Sequence, residues 1–221
     1  MIKYFRNLPH YQPLDSAFLI TFRLAGSIPD FILKNLRLNY ESERKKLISK
    51  YYDPSVLKAK LYELQKMNFA KYDSILDKCE YGPKYLLNED IASIIYKKIF
   101  ELNSVKYELI AFDIEPNHVH LVIFLLDNIK VSELNNFGKT KNYALADTLR
   151  LIKGSTARES NLILNRTGQF WHHESFDHVV RDEFELKRIV KYIMNNPVRS
   201  GMTDKQNDWK WSYCVIDYSL L

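Results

Sequence analysis

The chain has 221 residues, of which 46% are hydrophobic and 27% are charged, a balance typical of a globular protein. The composition excludes intrinsic disorder as the main state, and it also excludes a collagen, a coiled-coil rod and a disulfide scaffold. The net charge of +5 permits binding to nucleic acid without requiring it.

The two cysteines, Cys79 and Cys214, are far apart and have no metal-binding spacing. This spacing excludes a zinc site built on cysteine and predicts a reduced, cytoplasmic protein. The N-terminus lacks the apolar core of a signal peptide. The longest apolar run, 121–126, is far shorter than the roughly 20 residues that span a bilayer, so we expect no membrane partner.

The first half of the chain predicts one strand followed by long helices. Residues 17–24, A-F-L-I-T-F-R-L, are apolar and rich in β-formers, which predicts a buried strand. Residues 31–79 are charged and helix-prone, with a break near Asp53-Pro54, and they predict a helical arm. Residues 89–101 carry isoleucines at helical spacing and predict the first core helix.

The second half predicts a hairpin and two further helices. The predicted elements are, in chain order, strands over 106–114 and 118–126, a helix over 143–160, an irregular or extended stretch over 167–181, and a helix from Asp182 to about Asn195. Pro197 is expected to stop the last helix. Together these elements predict one α+β domain over 1–221, with helices on one face of an antiparallel sheet and a helical insertion at 31–80.

The segment P-N-H-V-H-L-V-I places His118 and His120 two positions apart on a predicted strand. Because side chains alternate along a strand, both imidazoles project from the same face, and their spacing suits joint coordination of one divalent metal. The same pattern also occurs as two histidines that bind no metal. A catalytic metal site would also need a third ligand, and it would need a nucleophile or a base that the metal assists.

The last predicted helix has one clear apolar face, formed by Leu186, Ile189, Val190, Ile193 and Met194. Tyr192 and Asn196 lie together on another face, where a tyrosine can present a working hydroxyl. Two structural alternatives remain open from the pattern alone. The ring of Tyr192 would pack at the edge of the apolar face, and Asn196 would cap the helix.

Two further features suit nucleic acid. The stretch from Lys139 to Arg166 has six basic and two acidic residues, a local net charge of +4. A solvated helix face with extra lysines explains this charge equally well. The aromatic pair Phe170 and Trp171 would either stack on exposed bases or form a packed anchor under a loop.

In joint order and spacing, these segments resemble the REP-associated tyrosine transposases, relatives of the single-strand HUH transposases of small insertion sequences. The matching motifs cover most of the chain: R-N-L-P-H-Y-Q-P, F-L-I-T-F-R-L, G-P-K-Y-L, P-N-H-V-H-L-V-I, K-G-S-T-A-R, Q-F-W-H-H-E-S-F-D-H-V-V-R, Y-I-M-N-N-P-V-R-S-G-M and D-W-K-W-S-Y. No single motif is decisive, whereas their order and spacing together are strong evidence.

The resemblance implies a ferredoxin-like core in which a helix brings a tyrosine to a metal on the central strand. His118 and His120 match the family's metal ligands, and Tyr192 matches its nucleophile. Asn196 lies where relatives place an amide as third ligand, which suits Mg²⁺ or Mn²⁺. The chain departs from the family at Glu115, where relatives carry an apolar residue, and this change places a carboxylate beside the predicted site.

The implied activity is metal-dependent cutting and rejoining of single-stranded DNA at hairpins through a 5′-phosphotyrosine intermediate. Four basic residues are candidates for binding phosphates and one aromatic for stacking on bases: Lys153, Arg158, Arg181, Arg188 and Trp171. The resemblance leaves open whether the protein acts as a monomer or a homodimer. The sequence also leaves open whether the helical arm clamps the substrate or caps the fold.

Two other functions remain possible from the sequence. One is a domesticated relative that binds DNA hairpins without cutting them. The other is an unrelated metal hydrolase with a water nucleophile. Such enzymes recruit further Asp or His ligands, and no acidic residue lies next to the histidine pair in a ligand spacing, so we rank this function low.

Overall fold

The structure is a computed structural model that describes residues 16–126 and 144–215. The motif R-N-L-P-H-Y-Q-P and residues 139–143 of the basic stretch lie outside the described residues. Within the described ranges, no helix is long and apolar enough to cross a membrane.

The centre of the fold is a five-stranded antiparallel sheet. Its strands are β1 (Ala17–Arg23), β2 (Tyr107–Ile114), β3 (His118–Leu125), β4 (Phe176–Val179) and β5 (Ser212–Cys214). They lie in the order β4-β1-β3-β2-β5. The first four strands have the ferredoxin-like order, so the predicted fold class is confirmed. β5 was not predicted, because three residues are too few to show an alternating pattern.

Six helices of the described residues accompany the sheet. They are α1 (Asp30–Lys50), α2 (Pro54–Asp77), α3 (Glu89–Leu102), α4 (Ala144–Ile163), α5 (Glu183–Met194) and α6 (Asn196–Arg199). Short 3₁₀ turns lie at Tyr85–Leu87 and Gln206–Asp208. The arm is therefore a helical hairpin, α1 and α2, inserted after the first strand as predicted.

Local capping explains where these helices begin. The Asp53 carboxylate accepts hydrogen bonds from the backbone of Ser55 (2.7 Å) and Val56 (3.1 Å), and Pro54 takes the first helical position of α2. Asp182 caps α5 by accepting from the Glu185 backbone at 2.7 Å. These two caps fix where α2 and α5 begin, and both positions lie within a residue or two of the predicted ones.

The two core helices, α3 and α4, pack on one face of the sheet. Phe18, Ile20 and Phe22 of β1 project to this face and are fully buried with Ile95 of α3 and Ile152 of α4. Burial of each such side chain contributes about 1.5–3 kcal/mol. This layer has the arrangement that the sequence predicts.

The opposite face of the sheet carries the histidines and is covered by α5 and by part of the arm. Val190 and Ile193 of α5 pack on Leu19 and Val122 of the sheet, with Phe69 of α2 against the same cluster. The apolar side of α5 is therefore buried against the sheet. Tyr192 is turned toward the histidines.

The last predicted helix ends before Pro197, as predicted, but a short helix that the sequence did not predict follows directly. Asn195 is the C-cap of α5, and a second short helix, α6, begins at Asn196 with Pro197 in its first turn. Proline is tolerated there because the first turn of a helix has no intrahelical partner for its N–H. Asn196 is therefore a buried residue at the start of α6 rather than a solvent-facing cap.

Candidate active site

The two histidines of β3 form the base of the site. Both imidazoles are fully buried, and their Nε2 atoms lie 3.0 Å apart. Val119 between them projects into the core on the other face. The strand alternation predicted from the sequence thus brings two metal-ligating atoms to one point.

The outer nitrogens of both rings are held by neighbouring side chains. Asn117 Oδ1 lies 2.8 Å from His118 Nδ1, and Thr21 Oγ1 lies 2.8 Å from His120 Nδ1. A carbonyl oxygen only accepts hydrogen bonds, so His118 carries its proton on Nδ1 and turns the lone pair of Nε2 toward His120. Metal-binding histidines are typically oriented by such a hydrogen bond to the ring nitrogen that does not contact the metal.

Tyr192 lies beside the histidine pair, and Asn196 joins the same cluster through Asp77, to whose Oδ1 its Nδ2 donates a 3.3 Å hydrogen bond. The ring of Tyr192 lies edge-on to His120 with 6.1 Å between the centroids. Asn196 is fully buried, and its Oδ1 has no hydrogen-bond partner among the described residues. Four side chains selected from sequence therefore meet in one place.

Two acidic residues of the arm complete the cluster, and sequence reasoning missed them. Asp77 Oδ1 lies 3.7 Å from His118 Nε2, and Asp73 Oδ1 lies 3.6 Å from His120 Nε2. One ligand atom from each of these four residues lies within 4.8 Å of all the others. The available signal was the i, i+4 spacing of the two aspartates, which places both on one face of a helix.

The hydroxyl of Tyr192 is directed at these carboxylates. It donates a hydrogen bond to Asp73 Oδ2 and lies 3.3 Å from Asp77 Oδ2. Arg199 of α6 closes the other side, with its guanidinium 2.9 Å from Asp77 Oδ2 and 4.7 Å from the centre of the Tyr192 ring. The nucleophile candidate therefore lies between two carboxylates and one cation.

Burial sets the protonation of the cluster. It raises the pKa of Asp73 to about 7, and burial followed by repulsion from Asp73 raises the pKa of Asp77. Burial also lowers the pKa of His120 to about 4 and holds the pKa of His118 well below its ordinary value. Both imidazoles are therefore neutral at pH 7, so their contacts with the aspartates are not ion pairs.

The pKa of Tyr192 is raised, first by burial and then by the neighbouring charges of Asp73 and Asp77. The tyrosine is consequently protonated at neutral pH. Its proton lies on a hydrogen bond to a carboxylate that can accept it.

Glu115, the departure from the family pattern, is buried behind the cluster. Ser200 Oγ lies 3.3 Å from its Oε1, and burial raises its pKa to about 6. Asp113 is its buried neighbour, with a pKa raised by burial and by the charge of Glu115, and it accepts a 2.7 Å hydrogen bond from Ser212. Two adjacent buried carboxyls of this kind favour sharing a proton over carrying two charges.

Beside Tyr192 lies a cleft of about 330 Å³ between α2, α5 and β4. Its apolar walls include Phe69 and Phe176, whose rings stack with 3.8 Å between the centroids. Arg188 and Arg199 line the cleft as well. The cleft therefore offers an apolar floor and positive charge next to the candidate nucleophile.

The other predicted DNA-binding residues have different surroundings. The Arg181 guanidinium stacks 3.2 Å from the centre of the Tyr62 ring. The Lys153 ammonium donates to the backbone carbonyls of His172 (2.7 Å) and His173 (3.0 Å), which ties α4 to the segment before β4. Arg158 is exposed on α4, which packs on the sheet face away from the histidines.

The prediction that Trp171 stacks on DNA bases was wrong. Its side chain is only 4% exposed, and its ring packs edge-on to Phe22 and Phe170 in the main core. Its Nε1 donates a 2.9 Å hydrogen bond to Thr156 Oγ1. The aromatic pair is the packed anchor that the sequence left as the alternative.

Comparison with known proteins identifies relatives over part of the chain. No protein-family model matches it. A Haemophilus influenzae protein that carries the name REP-associated tyrosine transposase is 28% identical over 107 residues, which is 48% of this chain and 58% of that protein. A second protein of that organism, uncharacterized, is 27% identical over 100 residues, covering 39% of this chain and 52% of its own length. The chain thus spans little more than half the length of these relatives.

A solved structure aligns with most of this chain. It is described as the structure of a REP-associated tyrosine transposase bound to a REP hairpin. It covers 96% of this chain and 82% of its own, with a TM-score of 0.48 and 14% sequence identity. The resemblance to the REP-associated tyrosine transposases that the motifs predict is confirmed by the curated relative of that name.

Proposed function

We propose that this relative of the REP-associated tyrosine transposases is a metal-dependent endonuclease that nicks and rejoins single-stranded DNA at hairpins through a 5′-phosphotyrosine intermediate. The observation that carries the proposal is the meeting of Tyr192 with His118 and His120 in one buried cluster. These are the residues that the resemblance assigns to the nucleophile and the metal ligands.

The residues present fit a divalent cation. The Nε2 atoms of the two imidazoles lie 3.0 Å apart, and Asn196 is linked to the same cluster by its hydrogen bond to Asp77. The Asn196 amide oxygen is buried without a partner among the described residues, so these groups offer a mixed set of donors. His118, His120 and Asn196 would hold Mg²⁺ or Mn²⁺. When bound, the cation would neutralise charge that develops on the scissile phosphate.

The chain's own groups account for the bond changes. Tyr192 Oη attacks phosphorus, so the tyrosine–phosphate bond forms while the bond to the 3′ oxygen breaks. The phosphate remains on the 5′ side, linked to Tyr192, and the departing strand takes a proton from water to end in a 3′-OH. Asp73 Oδ2, which already accepts the hydrogen bond of the tyrosine hydroxyl, is placed to receive its proton.

Positive charge near the tyrosine would hold the DNA backbone. Arg199 has 41% of its side chain exposed beside Tyr192, and Arg188 lines the same cleft. Both can contact phosphates while the cleft receives the adjoining nucleotide. Reversal of the attack by the 3′-OH rejoins the strand without ATP, because the bonds broken and formed are alike in energy.

The structure also favours a second candidate, a metal hydrolase with a water nucleophile. The sequence argued against it because no D-x-H or H-x-x-x-D pattern lies next to the histidine pair. Asp73 and Asp77 provide acidic ligands from the arm. In this alternative, Tyr192 would serve only to orient a carboxylate.

A denaturing gel with end-labelled hairpin DNA and Mn²⁺ tests both candidates. We expect a band shifted by the mass of the protein, absent without metal and absent in Tyr192→Phe. Tyr52→Phe is the matched control, because Tyr52 lies on the arm with 91% of its surface exposed. Metal-dependent cutting by Tyr192→Phe would favour the hydrolase. Hairpin binding without any cutting would favour a domesticated DNA-binding protein.

A further inference from the structure

We propose that the inserted arm is part of the metal centre, with Asp73 and Asp77 of α2 as ligands of the same divalent cation that His118 and His120 bind. Cation binding would then clamp the arm onto the sheet. The proposal rests on the proposed function for the presence of a cation, and it goes further by giving the arm a role.

The geometry suits one shared ion. The two imidazole Nε2 atoms lie 3.0 Å apart, and each has an aspartate oxygen at 3.6–3.7 Å. Ligands that bind a cation at about 2.0–2.2 Å are typically separated from one another by about 3–4 Å. The four residues therefore surround a point at which an ion would contact all of them after small side-chain adjustments.

Two buried side-chain oxygens of the cluster have no hydrogen-bond partner among the described residues. Asp73 has 2% of its side chain exposed, and its Oδ1 has no hydrogen-bond partner among the described residues. Asn196 Oδ1 is likewise buried and unpartnered. A buried carboxylate oxygen without a partner is costly, and a cation is the group that satisfies oxygens and imidazole lone pairs together.

The charges around the cluster are compatible with a bound cation. Arg199 contacts the cluster directly, with its guanidinium 2.9 Å from Asp77 Oδ2 and 4.7 Å from the centre of the Tyr192 ring. The buried Arg23 donates instead to Tyr72 Oη at 2.6 Å and to Ser27 Oγ at 3.2 Å. Among the described residues, two carboxylates, one buried and one with 10% of its side chain exposed, therefore face two imidazoles and a single guanidinium.

The rest of the arm is already positioned for this role. Tyr62 Oη donates to Glu185 Oε1 of α5 at 2.9 Å, and Phe69 stacks on Phe176 of β4. Together with the Arg23–Tyr72 hydrogen bond, these contacts turn one face of α2 toward the sheet. Asp73 and Asp77 follow on that face at helical spacing. The arm thus holds Asp73 and Asp77 in position to bind a cation.

Calorimetric titration of the full chain with Mn²⁺, in the absence of DNA, tests the assignment. We expect Asp73→Asn and Asp77→Asn each to weaken Mn²⁺ binding at least tenfold. Glu63→Gln, an exposed acid-to-amide change on the same helix, is the matched control and should bind within twofold of wild type. A loss smaller than tenfold in either aspartate variant would overturn the assignment of both carboxylates as ligands.

A second readout tests the clamp and checks folding. The aspartate variants remove a buried charge, so their melting temperature without metal should equal or exceed that of wild type. Mn²⁺ should slow tryptic cleavage at the lysines of α2 in wild type and in Glu63→Gln, and leave the rate unchanged in Asp77→Asn. Equal protection of wild type and Asp77→Asn would overturn the clamp.

The outcome is separable from that of the proposed function. A wild-type protein that cuts no hairpin, or a Tyr192→Phe variant that still cuts, would defeat the tyrosine mechanism without changing the Mn²⁺ titration. Conversely, adduct formation through Tyr192 with unchanged Mn²⁺ affinity in both aspartate variants would preserve the function and defeat the arm's role as ligand.

Discussion

The hydroxyl of Tyr192 donates a hydrogen bond to Asp73 across 119 residues of sequence. This contact joins the helix that carries the candidate nucleophile to the arm inserted after the first strand. It supplies a proton acceptor for the tyrosine hydroxyl, and it connects the arm to the candidate site. The arm therefore contacts the candidate nucleophile directly, which neither a clamp on distant DNA nor a simple cap would require.

Thr21→Val should weaken metal binding while the ligands themselves stay intact. Thr21 Oγ1 lies 2.8 Å from His120 Nδ1, and valine keeps the shape of the side chain but removes the hydroxyl. Loss of such an outer partner typically costs about 10–100-fold in metal affinity. Calorimetric titration with Mn²⁺ would measure the change. An affinity equal to that of wild type would show that the hydroxyl does not orient the ring.

Asp73→Asn should flatten part of the pH dependence of stability in metal-free protein. Burial raises the pKa of Asp73 in the folded state to about 7, against an ordinary value of 3.8. The folded state therefore holds this proton more tightly, and ionisation destabilises it progressively as the pH rises from about 4 to about 7. His120 acts in the opposite sense, because its lowered pKa costs stability as the pH falls below its ordinary value.

The difference in melting temperature between Asp73→Asn and wild type isolates this effect. Measured in EDTA, the advantage of the variant should grow by several degrees between pH 5 and pH 8, since each kcal/mol shifts the Tm of a chain this size by about 2–4 °C. A difference that is constant with pH would contradict the raised pKa of Asp73.

Arg188→Ala should weaken hairpin binding in a salt-dependent way. Arg188 lines the cleft beside Tyr192 with 69% of its side chain exposed, and we assign it to a phosphate. Loss of one phosphate contact should reduce the slope of log K against log salt by about 1. Fluorescence anisotropy over a salt series measures the slope. Lys97→Ala is the control, because Lys97 is exposed on α3 across the sheet, and it should leave the slope unchanged.

Trp171→Phe should affect stability and leave DNA binding alone. The substitution removes the hydrogen bond to Thr156 and leaves part of the indole volume empty in the core. We expect a loss of about 1–3 kcal/mol in the free energy of unfolding. At 25 °C the affinity for a hairpin should stay within twofold of wild type. A tenfold loss of affinity in the folded variant would restore the base-stacking role.

The sequence predicts the sheet face of the site well, because local periodicity determines it. The alternation of β3 places His118 and His120 together, and the apolar stripe of α5 leaves Tyr192 at the edge of the apolar cluster, beside the histidines. Both features depend on residues close to each other along the chain. The class of fold follows from the same periodic patterns and from the family motifs.

The arm's contribution could not be predicted from those patterns. Asp73 and Asp77 lie in a charged helix in which acidic side chains are ordinarily solvated, and only the docking of α2 on the sheet buries them. The prediction for Trp171 was wrong for a related reason. An aromatic residue in an irregular segment belongs to no periodic pattern, so the sequence does not distinguish a buried core residue from an exposed residue that stacks on bases. The short helix α6 was not predicted, because a new helix can begin immediately after the previous one ends.

Peptide mapping of the protein–DNA adduct tests the central claim most directly. Trypsin cleaves after Lys191 and Arg199, and the fragment between these sites contains Tyr192 as its single tyrosine. After reaction with a hairpin and Mn²⁺, followed by nuclease digestion, mass spectrometry should find this fragment carrying a nucleotide joined through phosphate. Cleaved DNA with this fragment unmodified, or with the adduct on another fragment, would contradict Tyr192 as the nucleophile.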